Sequence, residues 1–476
     1  MRSLIRNASW AILWDGTAHR YARDQDILIE EGRIATITPH APRPTEGMEV
    51  IEAAGMMVMP GLVNIHAHPS TEPHWRGVRE DHGVPDHGMS GLFERSQAFR
   101  LDDAGREAAM RIAYAELMAA GVTSLVDLTA PFPAWLPVMR ESGLRVWAGP
   151  GFASARWGMS PPRQVSWHWN LESGRAQFRA AQALMAEAEA DPSGLLSAIV
   201  FPAQIDTVEE ELLREAAALA RDTARPFTIH IAQAVVEVQE MIRRHHATPI
   251  QWAAGCGLLS PRAVLGHCIF LDEHPSIAWQ TRRDLDLLAE HGVAVAHCPT
   301  PFARYGEHLR DFGRYRERGV RLGIGTDCAP HNILEEMRLA ILLARNARRD
   351  LAAADTAMVF HAATVGGADA LGRPDLGRIM PGAAADLVLV DCAHPMMIPA
   401  RDPLRSLIHH AADRAVRRVM VAGRTVFRDG RCLTLDVAEA AGILAESQAR
   451  ALRDARLHDY LGRDGDAIAP LSLSPL

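Results

Sequence analysis

Two histidines one residue apart, His66 and His68, close the apolar run "GLVNIHAH" (61–68). In extended backbone, residues i and i+2 project to the same side, so the two imidazoles can grip one ion. An HxH pair alone is a weak signal. A third imidazole, His230, ends the run "FTIHIA" (227–232), and a carboxylate, Asp327, ends "VRLGIGTDC" (320–328). Three imidazoles and one carboxylate suit a divalent ion, zinc first, with cobalt, manganese or iron as alternatives. Such an ion lowers the pKa of its water to about 7, giving hydroxide for attack on an sp² carbon. That implies a hydrolase. His267 in "GHCIFLD" and His297 in "AHCPT" end two further apolar runs and are candidates to hydrogen-bond the attacking water or polarise the substrate.

The composition removes competing chemistries. None of the 50 basic residues is lysine, so a Schiff-base lysine, a P-loop lysine and a carbamylated lysine bridging two metals are all impossible. The six cysteines show no CxxC spacing, which argues against a zinc knuckle or a disulfide scaffold and for reduced thiols in a cytoplasm. A net charge of -8 without any basic run gives no reason to expect nucleic acid. No stretch of 18 apolar residues occurs, so neither export nor membrane insertion is expected. The partner left is a small-molecule substrate. No GxGxxG follows a first strand, which excludes a dinucleotide-binding dehydrogenase.

Positioning these side chains requires a scaffold with many strand ends in one place. Eight continuous apolar runs between residues 61 and 328 alternate with stretches of helical periodicity such as "EAAMRIAYAELMAA". Continuous rather than alternating runs imply strands covered on both faces, as in a parallel sheet. The expected fold class is α/β, a (β/α)8 TIM barrel over 59–378 with its chemistry at the C-terminal strand ends. An open doubly wound sheet is the alternative. Hairpin patterns at both ends, "DILIEEGRIATI" and "RRVMVAGRTVFRDGR", predict a small β-sandwich from segments 1–58 and 379–436. The helical tail 437–476 is expected to pack on a neighbouring subunit of a homodimer or homotetramer.

The motifs "MPGLVNIHAH", "TIHIAQ", "GHCIFLD", "VAHCPT", "GIGTDCAPHNILEEMRLA" and "ADALGRPDLGRIMPGAAADLVLVD" resemble, in this order, the amidohydrolase superfamily, in its cytosine-deaminase-like and triazine-hydrolase-like branch. The resemblance spans nearly the whole chain. It implies that His66, His68, His230 and Asp327 bind one metal, that His267 orients water or substrate, and that Asp327 doubles as proton acceptor. It also implies a hydrolase of non-peptide C–N bonds of amidine, urea, carbamoyl or amide type. Carbamate, thiocarbamate or chloro-heterocycle hydrolysis and deamination of an N-heterocycle are the alternatives, and a non-catalytic barrel protein the opposing class.

Two departures from that pattern stand out. The family's usual HxxE after the fifth strand is here HxxQ, with Gln233; an amide has no pKa suited to proton transfer, and general acid–base help is worth about 10²–10⁴ in rate. After the seventh strand, "HCPTPFARYG" places Pro301, Phe302 and Arg304 in the expected pocket wall. The loop "PSTEPHWRGVREDHGVPDHGMSGLFE" reads as a lid, with His74, Trp75 and Arg76 as substrate contacts. Arg156, Trp157 and His331 are further substrate-binding candidates, and Asp127 and Gln204 lower-grade pocket candidates.

Overall fold

The computed structural model describes residues 2–78, 90–162, 164–328 and 330–475; the middle of the loop read as a lid, residues 79–89, lies outside the described residues. Eight strands follow one another in the core: β1 (Leu62–Ala67), β2 (Val122–Thr129), β3 (Arg145–Pro150), β4 (Leu196–Ala198), β5 (Phe227–Ile231), β6 (Ala263–His267), β7 (Ala294–His297) and β8 (Arg321–Ile324). A helix follows each: α1 (Asp103–Ala119), α2 (Trp135–Ser142), α3 (Leu171–Glu189), α4 (Glu210–Asp222), α5 (Val235–His245), α6 (Asp284–Glu290), α7 (Phe312–Glu317) and α8 (Ile333–Arg348). The strands form two parallel sheets, ordered β4-β3-β2-β1 and β5-β6-β7-β8. Isolated parallel bridges join the edges of both: Ala67 to Asp327 on one side, Val200 to Phe227 and Gln204 to His230 on the other. Every residue of β1, β2, β3 and β5 is buried, which is why these segments read as unbroken apolar runs.

Strands from the two chain ends share a separate pair of sheets. Met56–Pro60 pairs antiparallel with Leu387–Asp391 inside a seven-stranded sheet, and Arg2–Ala8 lies within a four-stranded one. An apolar cluster that includes Ile5, Ile27, Ile51, Leu387, Leu389 and Met420 packs the two together. One buried ion pair ties this unit to the parallel strands: the Arg145 guanidinium of β3 donates to both oxygens of Asp386 at 2.7 and 3.1 Å.

The tail helix α9 (Val437–Asp454) packs on α1 of its own chain through Ala108, Ile112, Ala440 and Leu444. Asp102 explains the attachment, because Oδ1 caps α1 by accepting from the Gly105 N–H and also accepts from the Ser447 hydroxyl, each at 2.8 Å, while Arg450 holds Oδ2 at 2.7 Å. The fourth strand, read over 196–204, keeps ladder pairing only to Ala198 and continues as single bridges. A hairpin not foreseen from the sequence, Ala155–Ser160 with Gln164–Trp169, follows β3.

Candidate metal centre

The ends of β1, β5, β6 and β8 bring five side chains together. Two backbone hydrogen bonds lock the first and last strands in register at this point: the His68 N–H donates to the Asp327 carbonyl and the Asp327 N–H to the His66 carbonyl, both at 2.8 Å. Asp327 has φ 51°, a left-handed conformation that a side-chain-bearing residue holds at a cost of about 1–3 kcal/mol. Ala232 after β5 and Cys268 after β6 turn the same way. Asn64 supports the arrangement from within β1: its Oδ1 accepts from the N–H of His66 (3.2 Å) and of Thr326 (3.3 Å), and its amide donates to the Thr326 hydroxyl at 2.8 Å.

Ligand atoms converge in two overlapping groups, His66–His68–His230 and His66–His267–Asp327, each within 4.8 Å. The Nε2 atoms of His68 and His230 lie 3.1 Å apart, and His68 Nε2 is 3.3 Å from Asp327 Oδ1. His66 Nε2 is 3.7 Å from Asp327 Oδ1, and His267 Nε2 is 3.8 Å from Oδ2. Donors about 2.0–2.2 Å from one ion at tetrahedral angles stand roughly 3.3–3.6 Å from each other, so this spacing fits a single metal. Protonation fits too. His68 Nδ1 donates to the Leu128 carbonyl (2.7 Å) and His230 Nδ1 to the Ala203 carbonyl (2.6 Å), because a carbonyl can only accept. That leaves two Nε2 lone pairs facing each other, a repulsive contact that a shared cation turns into an attractive one. His66 is fully buried, and among the described residues neither of its nitrogens has a hydrogen-bond partner. Burial, followed by the neighbouring imidazoles, holds His66 and His267 well below the ordinary histidine pKa, and His230 down to about 3.

Glycines make room for this packing. A Cβ at Gly266 would stand 2.7 Å from His66 Cε1, and one at Gly325 would stand 2.8 Å from His66 Cβ.

The other candidates scatter around the centre. Gln233 is 4% exposed and gives its side-chain amide to the Gln204 carbonyl oxygen. The neighbouring acid, Glu237, turns to the backbone, accepting from the N–H of Ala232 (2.7 Å) and Gln233 (2.9 Å); burial, then Asp206, pushes it up to about 8. Phe302 lays its ring 4.5 Å from that of His267, while Arg304 is exposed at the end of the same short helix. His297 is buried with its pKa pushed down to about 3 by burial, and lies outside both ligand groups. His331 is buried and bonds Thr326 through Nδ1 at 3.0 Å.

Trp75 packs with Phe99, Ala455 and Ile468 of the tail, with the His74 ring against it at 4.9 Å; Arg76 pairs with Glu116 at 2.7 Å. Arg156 is exposed on the unforeseen hairpin, where the Trp157 indole donates to Asp206 at 2.9 Å. Asp127, read as a pocket candidate, is a correction. Its carboxylate accepts from the Tyr114 hydroxyl of α1 (2.8 Å) and the Trp135 indole of α2 (3.1 Å), so it fastens helices to β2.

The sequence model of the amidohydrolase family matches residues 57–426. The chain belongs to the amidohydrolase family. It is 30% identical over 433 residues, 90% of this chain and 94% of the relative, to the 5'-deoxyadenosine deaminase of Methanothermobacter thermautotrophicus. The zinc-bound adenosine deaminase of Xanthomonas campestris shares its fold with a TM-score of 0.80 at 24% identity, covering 94% of this chain and 98% of the other. The zinc complex of atrazine chlorohydrolase from Arthrobacter aurescens TC1 gives a TM-score of 0.77 at 22% identity, covering 94% and 99%. As an amidohydrolase, this protein is a metal-dependent hydrolase of carbon–nitrogen bonds other than peptide bonds, built for a single divalent ion of which zinc is the example in its structural relatives. Among the described residues, no helix is long and apolar enough to cross a membrane.

Sequence reasoning missed Asn64 and Thr326, which set the backbone beneath the ligands. The signal was present: an amide two residues before HxH inside an otherwise apolar strand has to be bonded once buried.

Proposed function

We propose that His66, His68, His230 and Asp327 hold the metal at the strand ends of a (β/α)8 barrel made of the two bridged sheets, and that the chain hydrolyses an exocyclic C–N bond at a ring carbon of a small N-heterocycle. The observation that carries this reading is the pair of facing Nε2 lone pairs of His68 and His230, 3.1 Å apart, each fixed by a carbonyl behind it. A divalent metal held there supplies Lewis acidity and an acidified water. Asp327 is the proton acceptor, its Oδ1 and Oδ2 reached by His68 and His267 respectively. His267 polarises the substrate, with the Phe302 ring shielding one side of it from water.

Residue 233 decides the leaving group. The Gln233 amide is engaged with Gln204 and cannot carry a proton, and Glu237 is occupied by backbone N–H groups. Proton delivery to the departing nitrogen therefore falls to Asp327 and His267. This favours substrates whose nitrogen leaves as an N-acyl, ureido or aryl amine over those that release ammonia. A second reading, displacement of chloride or thiolate from an activated heterocycle, rests on the same Gln233 and on the likeness to atrazine chlorohydrolase.

The test uses zinc-loaded protein and matched substrates on one heterocycle: the free exocyclic amine, its N-acyl and N-aryl derivatives, and the chloro analogue. The substituted amines are expected to exceed the free amine in kcat/KM by about tenfold or more. A clear preference for the free amine refutes the assignment at Gln233, and preference for the chloro analogue selects the second reading. Absence of stoichiometric metal in the purified chain refutes the ligand set.

A further inference from the structure

Away from the strand ends, a cavity of about 580 Å³ opens where the hairpin Trp10–Trp14 and His19–Ala22 meets α8, the short helix Thr356–His361 and the segment around residues 402–409. Its volume lies within the range of roughly 300–1,000 Å³ common to small-molecule sites. Ile12, Phe360 and Leu404 give it an apolar lining, all buried.

The polar side of the cavity is cationic beyond what its own acids neutralise. The Arg345 Nε–H donates to the Ala354 carbonyl at 2.9 Å, a neutral acceptor, and among the described residues no carboxylate lies within 4 Å of that guanidinium. Of the two lining acids, Asp355 caps its helix by accepting the Met358 N–H at 2.8 Å. Asp402 accepts from the Tyr21 hydroxyl at 2.8 Å and pairs with Arg405 at 3.3 Å. The Thr356 hydroxyl lies 3.5 Å from His409 Nε2; burial, then Arg345 and other nearby cations, lowers its pKa.

The Thr364 hydroxyl gives its proton to the Phe360 carbonyl at 2.5 Å, so its oxygen accepts from His19 Nε2–H at 3.0 Å. That bond fixes the His19 ring in the cavity wall, 4.9 Å from the ring of Phe360, with Nδ1 buried behind the surface.

The backbone around the cavity is also unusual. Two π-helical turns, Ala362–Gly366 and Leu407–Ala411, border it, and Ala412 after the second has φ 49° and ψ −136°. Such turns are uncommon and recur at functional sites, and a strained non-glycine residue persists only where its surroundings hold it.

We propose that this cavity is a second binding site, for a small organic anion with a flat apolar body. Arg345 and Arg405 take the anionic head, and Phe360 and Leu404 the body. The site is separate from the metal centre, with the turn Ala362–Gly366 standing between cavity and strands: Cβ atoms at Gly366 and Gly367 would meet Leu322 of β8 at 2.7 Å and Val63 of β1 at 3.1 Å.

The probe is benzoate, titrated calorimetrically into zinc-loaded protein at constant ionic strength. The wild type is expected to bind it at one saturable site. Arg345→Gln should weaken binding at least tenfold, whereas Asp327→Asn, which disables the metal centre, should leave it unchanged. Arg345 is only half-buried, and a thermal melt establishes that its variant is folded. No saturable binding, equal binding by Arg345→Gln, or loss of binding in Asp327→Asn overturns the proposal.

Discussion

Gly266→Ala probes the proposed metal centre without removing any proposed ligand. The added Cβ would stand 2.7 Å from His66 Cε1 and 3.0 Å from Nδ1, against ordinary contacts of 3.4–4 Å, so the ring has to move by about 0.7 Å. It has little space to do so. His66 is fully buried, and the backbone of β8 at Gly325 approaches its Cβ from another side. Misplacement on the scale of 1 Å costs up to about 10² in function, and disturbed support of a metal ligand about 10–100-fold in metal affinity. We expect zinc affinity to fall by that factor, about 1.4–2.7 kcal/mol. Overpacking also costs about 1–3 kcal/mol of stability, but in apo and holo protein alike. The two effects separate when urea unfolding is measured with and without zinc, alongside zinc competition against a chromophoric chelator. Gly442→Ala, where nothing lies within 4 Å of the new Cβ, is the control. Zinc affinity within twofold of wild type in Gly266→Ala would show that His66 is not a ligand.

Gln233→Glu should raise ammonia release from a free exocyclic amine by about 10²–10⁴, since Gln204 can flip to donate to the new carboxylate; an unchanged rate would show that position 233 does not limit deamination. Asp327→Asn should abolish turnover and lower metal content, read by elemental analysis, with full activity excluding Asp327 as proton acceptor. Chelation of zinc should lower the midpoint of thermal unfolding, because an ion that binds only the folded state stabilises it by mass action. His297 and His331 have pKa values of about 3 when folded, each lowered first by burial, against about 6.5 unfolded. Between those values the unfolded chain holds more protons, so their contribution is complete above pH 6.5 and lost as the pH falls towards 3. His331→Gln should therefore flatten the fall in urea stability between pH 6.5 and 5 by of order 1–2 kcal/mol, and an identical slope would place His331 in a solvated setting.

The strands were legible because each is buried on both faces, so β1, β2, β3 and β5 appear in the sequence as unbroken apolar runs. The hairpin after β3 was not, because its two strands mix half-buried and exposed residues without a clean period. The tail was read correctly as a helix. Its apolar stripe shows that something covers it, but only the chain's path shows that α1 is the cover. Asp127 failed for a related reason: a carboxylate at a strand end serves the pocket or the helices depending on which face it leaves, and two donors, Tyr114 and Trp135, lie on the helix side.

Sequence alone determined which chemistries were available. The absence of lysine removed three of them, the order of HxH, His230, His267 and Asp327 carried the family, and Gln233 marked a lost proton donor. Only the tertiary structure decided that His68 and His230 face each other at 3.1 Å, that their tautomers are set by the Leu128 and Ala203 carbonyls, and that Gln233 is paired with Gln204. Residue type fixes what a side chain can donate, accept or ligate. Which partner it meets depends on contacts between residues more than a hundred positions apart, such as His68 and His230, and those exist only once the strands have closed on one another.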